Sequence, residues 1–554
     1  MPPVTEEIVA HEAGGILMST DESFLPGGVA QGLPNLTTRQ PAEPHFLGLD
    51  YKWLVSIAVI FGLFMSVLDT TVVNIALAKL QAVFGATLND AQWIITGYTL
   101  AQTVSIPIFG YLADRYGTKW VYIISLALFT ISSMLCGFSW NVNSMIAFRV
   151  LQGLGGGSLM PLSIAQVFSV FPPKERGLGQ ATIGIPVLLA PALGPTVGGY
   201  IVQYSDWRLI FYMNVPIGIV GIFMCVTLLK RGRVNTHARL DFPGIVLSTL
   251  AFTSLVYGIG EAASDGWDST KVIGFSIFGM ICLAVLIIVE LRTPDPLLDF
   301  RLFRHWNWTS ANLITWATTL ALFGALFLVP VYLQSLRGLN PMQAGMVMLP
   351  SGLTTIFVLP ISGIVMDRFG PKWSILIGLV ALGGASYLLA HITLTTPTAL
   401  LQLWLIGRSI GLGFASQPAS AIALSDVPPA ELARGSSFYN VMRQVSSAFA
   451  TSFLATYVKD RSVPHFAHLA EQTDPSSPLY AYVRGAIGQA AVQGRWILPA
   501  QAQIVSQFVR QMRLQASIMA YRDALLLITS FVVVAFILAW FVGNPRGGEG
   551  VMAE

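Results

Sequence analysis

The sequence predicts an all-α polytopic membrane protein with fourteen transmembrane helices, arranged as two six-helix halves plus two extra central helices. Three observations lead to this reading. Of the 554 residues, 54% are hydrophobic and only 11% are charged, whereas a soluble domain carries roughly 25% charged residues. The apolar runs are about 20 residues long and do not alternate, which selects spanning helices over the roughly ten-residue strands of a barrel. Finally, one charged turn is written twice. "GYLADRYGTK" at 110–119 and "GIVMDRFGPK" at 363–372 share Gly, Asp, Arg, Gly and Lys at identical spacing.

Residues 1–50 are mixed polar, include Glu6, Glu7, Glu12 and Asp21, and have no basic n-region. They read as a disordered cytoplasmic tail rather than a cleaved signal peptide. The N-terminal half, 51–229, holds spans at 53–77, 91–113, 119–139, 143–168, 178–202 and 208–229. An extra pair at 243–261 and 272–290, with its linkers, fills 230–306. The C-terminal half, 307–543, holds spans at 309–333, 343–366, 373–393, 398–424, 436–458 and 522–543, with a long extracytoplasmic loop at 459–521. A cytoplasmic tail, 544–554, follows. Each half carries its charged turn after its second span, as in duplicated transporters whose halves are related by an axis along the membrane normal. Seventeen Lys and Arg fall on the side of the N-terminus against four in the short loops opposite. Both termini and both turns are therefore expected in the cytoplasm.

Several function classes drop out. Cys136, Cys225 and Cys282 lie singly in apolar runs and suggest neither a disulfide frame nor a metal cluster. His465 and His468 lack a third ligand. No GxxxxGK[ST] phosphate loop occurs, which disfavours a primary pump. No His, Cys or Glu cluster lies in a span core, so an enzyme is not expected, nor a metal or a nucleic-acid partner.

The polar residues inside spans carry the chemistry. "MSVLDTTVVNIAL" places Asp69 in the first span, where an aspartate costs about 2.5–3.5 kcal/mol on insertion scales. A carboxylate facing a central cavity and loading protons or substrate is the expectation; an outer-end carboxylate reaching water is the alternative. "FRVLQGLGGGSLMP" puts Arg149 and Gln152 on one face of span four. A guanidinium is always charged and must face protein or a cavity, and Arg408 and Arg443 meet the same constraint. The glycines at 153–157 suit close helix packing. Three intramembrane arginines against one aspartate favour neutral or anionic lipophiles over dications. In "PALGPTVGG", Pro191 and Pro195 remove backbone donors while Gly194, Gly198 and Gly199 let a neighbouring helix approach. Asn74, Tyr98, Gln152, Asn440 and Arg443 are the candidates for the substrate cavity. In the turns, Gly110, Gly117, Gly363 and Gly370 permit a tight reversal, and Asp114 can face the positive N-terminus of a helix in the opposite half. Such a contact would lock one conformation. Asp367 and Arg368 would be the counterparts of Asp114 and Arg115, with Lys119 ending the first motif.

From Lys52 to Asn544 the chain also resembles the major facilitator superfamily and, within it, the fourteen-helix drug:proton antiporters of the EmrB/QacA type. "LDTTVVNIAL" looks like the first-helix motif, with Asp69, Thr70 and Asn74 in place. "GYLADRYGTK" matches the superfamily loop motif, "RVLQG" the fourth-helix motif, and "GIPVLLAPALGPTVGG" the antiporter motif of helix five. "DWRLIFYMNVPIG", "LDFPG" and "PLLDFRLF" are similar to the fourteen-helix subgroup. The resemblance implies a major facilitator fold and a proton:substrate antiporter that extrudes lipophilic drugs or toxic compounds across the cell (inner) membrane. No cofactor is implied beyond the proton gradient. Asp69 would be the proton-linked carboxylate, Arg149 its partner in proton handling, and the two turns gating locks. The implied partners are a small lipophilic substrate, protons and the lipid bilayer. In double-membraned bacteria a periplasmic adaptor and outer-membrane channel would join them, docked at 459–521. Export of a lipid, siderophore or other endogenous metabolite on the same fold is the alternative reading. Ala78 stands where the first-helix motif usually has proline and Thr118 where the loop motif usually has a basic residue. Span 343–366 lacks the carboxylate of some dication-exporting relatives.

Overall fold

A computed structural model describes residues 50–172, 175–230, 241–428, 431–471 and 497–543. The tails predicted for residues 1–49 and 544–554, and residues 472–496 of the predicted loop, lie outside these. The N-terminal half is built from α1 (Tyr51–Phe84), α2 (Leu88–Tyr116), α3 (Thr118–Gly137), α4 (Val142–Val170) and α5 (Arg176–Tyr204). Its sixth span is the short α6 (Leu209–Tyr212) followed by α7 (Asn214–Leu228). The extra pair is α8 (Phe242–Asp265) and α9 (Thr270–Arg292). The C-terminal half holds α10 (Trp306–Val331), α11 (Pro341–Phe369), α12 (Pro371–Leu389), α13 (Thr398–Ser425), α14 (Leu432–Glu471) and α15 (Ile497–Ala539). With α6 and α7 taken together, these helices make fourteen spans among the described residues.

Local chemistry sets the helix ends. Gly85, at φ 57°, terminates α1 in the left-handed conformation that glycine adopts without strain. Asn141 and Ser144 close a capping box on α4, as Asn340 and Gln343 do on α11. Among the described residues, twelve helices are long and apolar enough by composition to cross a membrane. α2 and α14 are not among them because they carry more polar groups, which the fold turns inward. Thr103, Ser105 and Asp114 of α2, and Arg434, Ser436, Asn440 and Ser446 of α14, are all buried in protein. These two helices pack on each other across the halves, and α5 packs on α11 in the same way. α9 has the opposite character, exposing Ile273, Phe278, Met280, Ile281 and Ile288 as a lipid-facing helix would.

The segment predicted as a loop, 459–521, is helical at both ends, because α14 runs on to Glu471 and α15 starts at Ile497. Apolar composition stops near the membrane edge, whereas backbone hydrogen bonding continues beyond it. His465 Nε2 lies 2.8 Å from Asp523 Oδ2 and ties the extension of α14 to α15. Inside the N-terminal half, α4 packs through its glycines. A Cβ at Gly157 would stand 2.4 Å from the Gln102 carbonyl oxygen, and one at Gly155 would stand 2.6 Å from Phe129 N.

At the base of the extra pair, Asp241 accepts from Gly244 N at 2.9 Å and caps α8. A Cβ at Gly244 would be 2.3 Å from Asp241 Oδ2 and 2.7 Å from Glu290 Oε1, so two carboxyls crowd one glycine, and Glu290 is only 1% exposed. Like charges this close oppose each other. Glu290→Gln keeps the shape and rules out a second negative charge there, and is expected to hold or raise the unfolding temperature in detergent. A clear fall would mean that the carboxylate has a stabilising partner.

Candidate functional site

Asp69 lies about 27 Å of helix rise beyond Tyr51, and its side chain turns into the N-terminal half rather than toward a cavity. The residue is 2% exposed. Oδ2 accepts from Arg149 Nη1 at 2.5 Å, and Oδ1 accepts from Gln152 Nε2 at 3.0 Å and Asn214 Nδ2 at 3.2 Å. Three helices, α1, α4 and α7, therefore meet on one carboxylate. Arg149 also donates through Nε to Ile94 O at 3.2 Å and through Nη1 to Gln152 Oε1 at 2.8 Å. Its guanidinium carbon lies 3.9 Å from the centre of the Tyr98 ring. Only a planar guanidinium offers fork donors and a stacking face together. Removing one partner of such a buried pair costs about 3–5 kcal/mol, because the other charge is stranded.

The two repeated turns are built alike. Gly110 faces α14, where a Cβ would fall 2.1 Å from Ser437 Oγ. One turn further on, Asp114 Oδ2 accepts from Arg434 N at 3.2 Å and Arg434 Nε at 3.1 Å, so a carboxylate of α2 sits on the N-terminus of α14. In the second turn, Gly363 of α11 and Gly177 of α5 meet backbone to backbone. A Cβ on Gly177 would lie 2.4 Å from Gly363 O, and one on Gly363 would lie 2.6 Å from Gly177 O. Asp367 accepts from Gly177 N at 2.7 Å and Leu178 N at 3.2 Å, on the N-terminus of α5. Each carboxylate belongs to one half and the helix it caps to the other. An anion on a helix N-terminus is stabilised by about 0.3–1 kcal/mol, and by up to ~2 kcal/mol when partly buried. Gly117 and Gly370 take φ 93° and 88° and lead directly into α3 and α12. The lysines tie each turn to its own half. Lys119 Nζ donates to Val226 O at 2.8 Å and Leu229 O at 2.5 Å at the end of α7, and Lys372 Nζ donates to Trp540 O at 2.6 Å beyond α15. Arg115 Nη1 donates to the Tyr111 hydroxyl at 3.1 Å, and Arg368 is exposed.

At the end of the molecule away from the turns, a cavity of about 460 Å³ lies between α1, α2, α8, α10 and α14. Gln92, Ile95, Thr96 and Thr99 of α2 line it. Ile94 and Tyr98, on the other side of the same helix, hold Arg149. One helix thus separates the cavity from the Asp69–Arg149 pair.

The profile of the Major Facilitator Superfamily matches residues 59–451. The chain belongs to the major facilitator superfamily. It is 30% identical over 489 residues to the multidrug resistance protein B homolog of Mycobacterium tuberculosis, covering 88% of this chain and 89% of that one. It is 29% identical over 507 residues to the multidrug export protein EmrB of Escherichia coli, covering 90% and 96%. Its fold is similar to the crystal structure of a double Trp mutant of XylE, with TM-score 0.57, 14% identity, and coverage of 90% of this chain and 97% of that one. The chain is thus an EmrB-type member, a multi-pass membrane transporter rather than an enzyme.

On this superfamily scaffold the residues expected around the substrate separate. Tyr98 and Gln152 are fully buried and hold Arg149 instead of lining the cavity, because the guanidinium draws a ring and an amide to itself. Asn440 is buried as well and donates to Ser436 O within its own helix at 2.8 Å. Arg443 is half-buried and reaches Met160 Sδ of α4 in the other half. Asn74 is exposed on α1, one turn before Leu77 of the cavity wall. Arg408 donates to the carbonyls of Ala321 and Leu322 at 2.7 and 3.0 Å. In α5, a Cβ at Gly194 would be 2.2 Å from Thr71 Oγ1 and one at Gly198 would be 3.1 Å from Val72 Cγ1. On another side of α5, a Cβ at Gly345 of α11 would stand 2.8 Å from Thr196 N, next to Pro195. Pro191 and Gly199 are buried. α5 is therefore wedged between α1, two residues beyond Asp69, and α11 of the other half. Sequence reasoning missed Asn214 as a ligand of Asp69, although a single amide in the apolar run "YMNVPIG" was the available signal.

Proposed function

We propose that this protein is a secondary active exporter, a proton:substrate antiporter that extrudes lipophilic drugs or toxic compounds across the cell membrane, with both termini in the cytoplasm. The observation that carries the reading is the buried Asp69–Arg149 pair, one helix away from a cavity of about 460 Å³. In this conformation the turn carboxylates clamp the cytoplasmic end while the cavity lies toward the outside. Protonating Asp69 would remove the charge that holds Arg149, Gln152 and Asn214 together, loosening α1, α4 and α7 about α2. Rocking of the halves would then break the Asp114 contact with α14 and the Asp367 contact with α5. α5, packed on α1 and α11 through its Gly and Pro residues, is the element that would carry the change between halves. Protonation and substrate release would alternate because both bear on α2.

One coupling carboxylate implies one proton per cycle. For a neutral substrate that moves one charge inward, worth about 2.3 kcal/mol per 100 mV, which sustains a gradient of roughly 40-fold. The names of the relatives, a multidrug export protein and a multidrug resistance protein homolog, support drugs over endogenous metabolites as cargo. The extended α14 and α15 offer a surface that a periplasmic adaptor could use to feed an outer-membrane channel. Deleting 465–515 would then spare transport in vesicles and abolish whole-cell resistance. The test of the whole reading uses everted vesicles with an imposed proton gradient and a pH-reporting dye. A lipophilic drug should trigger proton release that an empty-vector control lacks. No release with any drug would favour lipid, siderophore or metabolite export.

A further inference from the structure

The cavity has a wall that two six-helix halves alone would not supply. α8, the first helix of the extra pair, packs on α2 and α14 and presents Val256, Tyr257, Gly260, Glu261 and Ser264 to the cavity. It is pinned there by Ser452 Oγ, which donates to Gly260 O at 3.5 Å, and by Thr456 Oγ1, which donates to Ala262 O at 3.1 Å. A Cβ at Gly260 would meet nothing within 4 Å, so this stretch of wall borders open space. Among the described residues that line the cavity, Glu261 is the only one with a formal charge. No ion pair to it occurs among the described residues. The nearby Asp265 and Lys271 pair with each other at 3.2 Å.

The intramembrane arginines do not answer this carboxylate. Arg149 is held by Asp69, Arg408 by two carbonyls of α10, and Arg443 lies against Met160. Two aromatic rings, Tyr257 and Phe327, line the same cavity. Tyr257 stacks on Trp93 of α2, with centroids 5.8 Å apart and planes at 25°, and it meets Phe275 edge-on at 4.8 Å. A carboxylate next to electron-rich ring faces, in a largely apolar cavity, is the chemistry that recognises a lipophilic organic cation. The attraction strengthens as water is excluded.

We propose that α8 forms part of the substrate site, and that Glu261 with Tyr257 selects lipophilic organic monocations. This rests on the export reading above, and it replaces the preference for neutral or anionic compounds suggested by the arginine count. That count was taken along the spans, whereas selectivity follows the groups that face the cavity. A dication would leave its second charge without a partner there.

The test is equilibrium binding to the purified full-length protein, with tetraphenylphosphonium as the cation and triphenylphosphine oxide as a neutral relative. Glu261→Gln should weaken tetraphenylphosphonium binding by about tenfold or more and leave triphenylphosphine oxide unchanged, which also shows that the variant is folded. Gly260→Leu, which fills the open wall, should weaken both ligands. Unchanged tetraphenylphosphonium affinity in Glu261→Gln, or equal loss of both ligands, overturns the proposal. Vesicle assays separate it from the export reading. Proton release triggered by triphenylphosphine oxide but not by tetraphenylphosphonium leaves export standing and removes Glu261 as the selector. Release by neither compound, with the binding pattern intact, removes proton-coupled export instead.

Discussion

Asp69→Asn is expected to reduce substrate-triggered proton exchange to background and to lower stability by about 3–5 kcal/mol. The carboxylate accepts three hydrogen bonds, from Arg149, Gln152 and Asn214. Asparagine keeps one acceptor but turns its amide donors toward groups that are themselves donors, and Arg149 is left as a buried, unpaired cation. Asp69→Leu and Arg149→Leu should each cost a similar amount by stranding the other charge. Replacing both by leucine should recover much of the stability without restoring coupling, since an apolar pair of similar volume avoids the stranded charge. Thermal unfolding in detergent reads the three leucine variants side by side. A double variant as unstable as the sum of the singles would mean that the two side chains act independently.

The second large effect is expected at the end of the molecule that carries the two turns. Asp114→Asn combined with Asp367→Asn should open it. Each carboxylate makes two hydrogen bonds onto the N-terminus of a helix in the other half. Losing each is worth roughly 1–3 kcal/mol, so losing both moves the equilibrium between states by about thirtyfold or more. Asp114 should contribute more than Asp367. It also holds the Arg434 guanidinium, which donates to Pro296 O at 3.1 Å in the linker before α10 and pairs with Glu431 at 3.2 Å. Spin labels at the exposed Tyr116 and Arg368 report the separation, and the native cysteines 136, 225 and 282 are all buried. The wild type should give the shorter distance and the double variant a population at longer distance. Identical distributions would mean that the turns do not govern this end.

Much of the architecture could be read from the sequence because lipid leaves the backbone few choices. Most of the spans follow from apolar length, and the two halves from a charged turn that recurs at fixed spacing. The same turn disclosed its logic in advance, since an aspartate between glycines is suited to a helix N-terminus at close approach. Rotation about helix axes was not legible. Arg149 and Gln152 share a face by periodicity, but their partner Asp69 lies 80 residues earlier, and nothing local reports that α1 turns it inward. Tyr98 looks like a cavity aromatic until Arg149 is seen to lie on its ring. Glu261 escaped attention because it ends a predicted span, where a carboxylate passes for a membrane-edge residue. Span ends marked by composition also hid the helical extension of α14, which continues into polar sequence.

The most direct measurement compares two modes of transport in proteoliposomes, for the wild type and Asp69→Asn, with one radiolabelled lipophilic substrate. The first is accumulation driven by an imposed proton gradient, and the second is counterflow, in which labelled substrate exchanges for unlabelled with no gradient. If Asp69 carries the proton, the wild type performs both, and Asp69→Asn performs counterflow without accumulation. Proton-driven accumulation that survives in Asp69→Asn would contradict this and place the coupling group elsewhere.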